Sequence, residues 1–115
     1  MAQFNFADLG CDEKGDSIEF KINYEINFRK FEKEIPWELT LKIFEFDRRT
    51  KNDLKRVIHK TIDPEDYEKR IVESIKKEDL NTEWGDDEYF VEFEIKPLQL
   101  PSRDSISTNF VKLNL

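Results

Sequence analysis

The chain has 115 residues, of which 39% are charged and 37% apolar, and a net charge of −7. That length fits one domain, 1–115, and the acidity disfavours whole-surface attraction to nucleic acid or anionic lipid. No apolar run approaches the roughly 18 residues of a membrane span, residues 1–10 lack the regions of a secretory signal, and the lone Cys11 has no internal disulfide partner, so the expected location is cytoplasmic.

High charge can signal disorder. Ten Phe, three Tyr and two Trp argue otherwise, because their rings supply a packed core. Residues 3–9 alternate weakly through Phe4 and Phe6 and are expected to form a short edge strand; residues 12–16, with Gly15, read as a polar turn. Over 18–28 the alternation is strict. Ile18, Phe20, Ile22, Tyr24, Ile26 and Phe28 are apolar, and Glu19, Lys21, Asn23, Glu25 and Asn27 between them are polar. A period of two predicts a strand with one dry face and one wet face.

Residues 31–36 make a connection, and Pro36 marks the next strand start. Trp37, Leu39, Leu41 and Ile43 then alternate with Glu38, Thr40 and Lys42. The phase slips at Ile43–Phe44, which predicts a β-bulge or a strand covered on both faces in its second half. A charged loop over 47–53 leads to a weaker strand over 54–62.

Residues 63–79 admit two readings. Asp63 as cap, Pro64 in the first turn and apolar Tyr67, Ile71 and Ile75 four apart describe a helix near 64–78. Ile71, Glu73 and Ile75 also alternate, as a strand over 69–75 requires. Residues 81–88 read as a turn. Tyr89, Val91, Phe93 and Ile95 then form the dry face of a strand whose wet face carries Glu88, Glu92 and Glu94, with Phe90 as the apolar exception. Pro97 and Pro101 bracket a bend, and Val111, Leu113 and Leu115 alternate at the end.

Short strands joined by turns every eight to fifteen residues, or thereabouts, predict an all-β antiparallel β-sandwich of about seven strands. The arrangement resembles an immunoglobulin or fibronectin type III domain at the level of fold. The turn Gly85-Asp86-Asp87-Glu88 leading into Tyr89 resembles a tyrosine corner, although the antibody-type disulfide is absent and Trp37 stands at the start of its strand. A sandwich requires a strand over 69–75 bonded to the first sheet; the helical alternative gives an α+β fold.

No reactive constellation stands out. Cys11 and the single histidine, His59, are far apart in sequence and cannot complete a tetrahedral metal site alone. Asp86, Asp87 and Glu88, with Glu83 nearby, form an acidic turn of the kind that can hold calcium, and Asp12, Glu13 and Asp16 form a second; neither has EF-hand spacing. Arg48, Arg49, Lys51, Lys55 and Arg56 form a basic cluster without interleaved aromatics, which suits a docking patch for an acidic protein better than a nucleic-acid platform. Trp84 and Phe90 are either an exposed aromatic pair at an interface or covers for the core. The expected function is a non-enzymatic β-sandwich domain in protein–protein interaction or a structural role, needing no cofactor. The alternative is a small-ligand or calcium-binding module using the acidic loops; a small enzyme using Cys11 or an acidic pair comes third.

Overall fold

Residues 2–46, 51–80, 86–98, 104–108 and 111–114 are described by a computed structural model. Among them, eight strands divide between two antiparallel sheets. The first sheet has the order β1 (Gln3–Lys14), β2 (Ser17–Asn27), β5 (Arg70–Lys76). The second has the order β4 (Asp53–Ile62), β3 (Trp37–Glu45), β6 (Asp86–Pro97), β7 (Asp104–Ser107), and β8 (Val111–Asn114) also pairs with β6. A four-residue helix, α1 (Lys77–Leu80), follows β5. The predicted all-β sandwich is therefore the fold.

The core sits between the dry faces. Ile18, Phe20 and Ile22 from β2, Leu39, Leu41 and Ile43 from β3, and Tyr89, Val91, Phe93 and Ile95 from β6 are fully buried. Rings from opposite sheets interlock: Phe20 meets Tyr89 edge-on, and Tyr24 and Phe4 both meet Phe93, each pair with centroids 5.6 Å apart. Such contacts add roughly 0.5–1.5 kcal/mol each beyond the area they bury. Trp37 packs on Phe28 at 5.5 Å and donates its indole N–H to the Glu32 carbonyl at 3.0 Å, so its one polar atom is satisfied inside the core.

The segment 63–79 is extended where it meets β2, and the reason is visible in its bonds. The Asp63 carboxylate accepts from the Glu65 amide at 3.0 Å, and its carbonyl accepts from the Asp66 amide at 3.0 Å. The helix-capping signal is used up in a turn. Beyond it, β5 pairs with β2 from Asn23↔Arg70 to Ser17↔Lys76, burying Ile71 and Ile75. The ladder of β2 is completed by a side chain. The Tyr67 hydroxyl accepts from the Ile26 amide at 2.9 Å and donates to the Ile26 carbonyl at 3.2 Å, standing in for a strand partner.

Other expectations shift in extent. The first strand is not short: it runs to Lys14, and the turn narrows to Gly15 and Asp16, with Gly15 at φ 59°. That left-handed backbone is why glycine stands there. The phase slip at Ile43–Phe44 is a register shift against β4 only; toward β6 the pairing continues unbroken through Ile43↔Val91 and Phe44↔Phe90. The Tyr89 hydroxyl lies 3.3 Å from the Glu45 carboxylate on β3, and it is Tyr24 whose hydroxyl donates to a backbone carbonyl, that of Glu68. The Gly85 side of the expected corner lies outside the described residues. At the other edge, Thr108 bridges the gap between β7 and β8: its amide donates to the Val91 carbonyl and its hydroxyl accepts from the Val91 amide, both at 2.6 Å.

Two stability changes follow. Tyr67→Phe leaves the Ile26 amide and carbonyl without their partner and is expected to cost about 1–2 kcal/mol in urea unfolding, with the slope unchanged. Gly10 lies in mid-strand with open space where a Cβ would stand, so Gly10→Val is expected to raise stability by up to about 1 kcal/mol.

Candidate functional site

Of the two acidic clusters, Glu83 lies outside the described residues. Asp86, Asp87 and Glu88 open strand β6, paired in register with Asn114, Leu113 and Lys112, so this stretch is ladder rather than the expected turn. Asp12 and Glu13 likewise belong to β1. Asp12 pairs with Lys21 at 2.5 Å, which holds its carboxyl below the usual range, while Glu13 pairs with Lys77. Among the described residues no group of three or more His, Cys, Asp and Glu side chains is placed to hold a metal ion.

Cys11 and His59 are on different sheets. Cys11 pairs with Phe20 and packs partly into the core. Burial, with the Asp12 charge adding to it, pushes its thiol up to about 12, which removes the thiolate needed for nucleophilic chemistry near neutrality. His59 is exposed on β4, with Nδ1 3.1 Å from the Thr40 hydroxyl.

The basic cluster is partly spent inside the chain. The Lys55 side chain is 10% exposed, and its ammonium donates to the Leu80 carbonyl at 2.7 Å, pairs with Asp53 at 2.9 Å and lies 4.0 Å from Glu45. Arg56 pairs with Glu73 across the two sheets. Arg48, Arg49 and Trp84 lie outside the described residues.

Phe90 is 5% exposed and stacks on Phe44, centroids 5.3 Å apart and planes 16° from parallel. It is therefore not an exposed aromatic. The register explains this: β3 and β6 place Phe44 and Phe90 on one rung, on the face of the second sheet that points away from the core. The same rung continues to Leu54 on β4, 45% exposed, and Val57, 38% exposed, lies on the same face opposite Lys42. Leu54, Val57 and Phe44 thus form an apolar strip on an otherwise charged face. Two sequence signals pointed here, the phase slip at Phe44 and the exception at Phe90, but only the strand pairing shows that they share a rung.

A polar groove of about 330 Å³ lies between the end of β2 and the turn before β5, lined by Glu25, Phe28, Lys33, Asp66, Tyr67 and Lys69 among others. Tyr24 stacks on the Tyr67 ring there at 5.9 Å and the Lys69 ammonium stands 6.0 Å from its centre. Glu25 accepts from Asn5 and Lys69, which keep its carboxyl below the usual range. Within the groove, Glu25 and Lys69 are thus paired with each other. Among the described residues no helix is long and apolar enough to cross a membrane.

Similarity to known proteins is confined to shape. No protein-family model and no curated protein sequence matches the chain. Among solved structures it is similar to β-glucosidase 3B from Thermotoga neapolitana in complex with α-D-glucose, with 16% identity and a TM-score of 0.51 over 99% of this chain and 17% of that one. A second similar structure is a β-glucosidase from Kluyveromyces marxianus in complex with glucose, with 12% identity and a TM-score of 0.48 over 95% of this chain and 15% of that one. At such identities the likeness is one of fold, and the chain spans only a small part of either enzyme.

The buried thiol sets a pH expectation. Unfolded, Cys11 ionises near its ordinary value of 9.0; folded, it stays protonated to about 12. The folded state then holds the extra proton, so stability falls as pH rises between those values. Urea unfolding across that range is expected to show a shallower alkaline loss in Cys11→Ala than in the parent, and native Cys11 is expected to react slowly with a thiol reagent at neutral pH.

Proposed function

We propose that this chain is a non-catalytic, immunoglobulin/fibronectin type III-like β-sandwich domain that binds or supports another protein through the outer face of β4, β3 and β6. The observation that carries the reading is the strip of Leu54, Val57 and Phe44, an apolar patch on a face where alternation otherwise puts charge. Its flanks, Lys42 and Glu92, provide a polar rim of both signs.

Three further points support it. The partition into β1-β2-β5 and β4-β3-β6-β7, with the fourth strand in the second sheet, suits a module of that topology. The half-buried, high-pKa thiol and the pairing of Glu25 with Lys69 in the polar groove favour a binding or structural role over chemistry. The fold-level likeness to one portion of a larger enzyme suits a unit that works beside other domains.

The test is a capture experiment followed by titration. A partner recovered on the immobilised chain is expected to bind saturably, and Leu54→Asp with Val57→Asp is expected to weaken it by about tenfold or more at unchanged melting temperature. Val72→Asp, an equally exposed site on the outer face of the first sheet, is expected to leave affinity unchanged. Equal binding by all variants, or no saturable partner, would overturn the proposal.

A further inference from the structure

Among the described residues, strands β4 and β5 are edge strands of different sheets, yet they lie along the same side of the sandwich. The Arg56–Glu73 ion pair joins them directly, and Lys55 of β4 reaches the Leu80 carbonyl just beyond β5. Both members of the pair occupy positions that alternation assigns to the core. Arg56 is opposite Ile43 in register and Glu73 is opposite Phe20, and both of those partners are fully buried. On an ordinary interior strand these slots would hold apolar side chains. Here, at the open side of the sandwich, they hold opposite charges that meet across the gap between the sheets, 36% and 25% exposed.

A pair that keeps this much contact with water adds little stability. Its position has a stronger consequence. Each edge strand leaves one row of backbone amides and carbonyls unused by its own sheet, which is a template for another strand. A strand added to either edge would extend the core past Arg56 and Glu73 and take both charges out of water. The desolvation penalty for burying them would oppose the added hydrogen bonds.

We infer that the Arg56–Glu73 pair is a guard that prevents the β4 and β5 edges from accepting strands from a second copy of this chain. The inference does not rest on the docking strip: Leu54 and Val57 also belong to β4, but they stand on the outer face of the sheet, whereas the guard concerns the backbone edge and its core side. It also predicts which feature of the pair matters: the presence of charge at the core margin, not the order of the two residues.

Sedimentation velocity over a range of concentrations tests it. Arg56→Leu with Glu73→Leu is expected to keep a β-sheet circular dichroism spectrum but to show concentration-dependent association, its average mass rising to about twice the parent's or more. Hydrogen exchange is expected to show new protection in β4 or β5 in the associated species. The charge swap Arg56→Glu with Glu73→Arg is expected to restore the parent's mass. Should the leucine pair fail to fold, Arg56→Gln with Glu73→Gln keeps both side chains polar, removes the charge and is read in the same way. A folded neutral variant with the parent's mass at every concentration would overturn the inference. So would a charge swap that associates as the leucine pair does, because a pair of merely structural value would move the unfolding midpoint and not the mass.

Discussion

The layer of rings between the sheets is the contact on which the rest of this molecule depends. Phe20 and Tyr24 come from one sheet, Tyr89 and Phe93 from the other, and each touches a ring across the gap. Strict alternation makes this possible: one misplaced residue in β2 would turn its whole dry face toward water. The long register of β2 with both β1 and β5, and of β3 with both β4 and β6, keeps the alternating apolar residues of β2 and of the first part of β3 facing the core. Surface features, including the apolar strip and the guarded edge, are consequences of that register.

Legibility in the sequence followed the strength of the period-two signal. β2 and the central part of β6 were plain, because each buries one face against the opposite sheet and leaves the other wet. β1 was under-read. Its second half carries Gly10, Cys11 and Asp12, which locally suggest a turn, but pairing with the strong strand β2 holds them extended. β5 was ambiguous for a similar reason. Asp63 and Pro64 signal a helix start, and Ile71 and Ile75 fit either period; the free edge of β2 decided the outcome. Neighbouring strands overrode local preference in both places.

The candidate site was less legible, because it depends on which residues become neighbours across strands. Phe44 and Phe90 each break the local pattern, but 46 positions separate them in sequence, by subtraction of their numbers, and only the β3–β6 ladder brings them together. Leu54 reaches the same rung through the register shift against β4, which no periodicity encodes. Two members of the basic cluster show the same dependence on strand pairing. Counted along the chain the cluster is one patch, but strand β4 turns Lys55 and Arg56 toward partners in their own fold. Acidic turns dissolve similarly once Asp86 and Asp12 are seen as strand residues.

Tyr67 has a consequence for the order in which the molecule is made. Its hydroxyl bonds a residue 41 positions earlier, and the ladder beside it joins β2 to a strand of similar sequence distance. Contacts so remote are slow to close, since the loop between them must first be brought round. During synthesis the β1–β2 hairpin is made before its third strand, β5, exists. For that interval its oily face lacks both a lateral neighbour and an opposing sheet, which makes this the adhesive stage of the nascent chain.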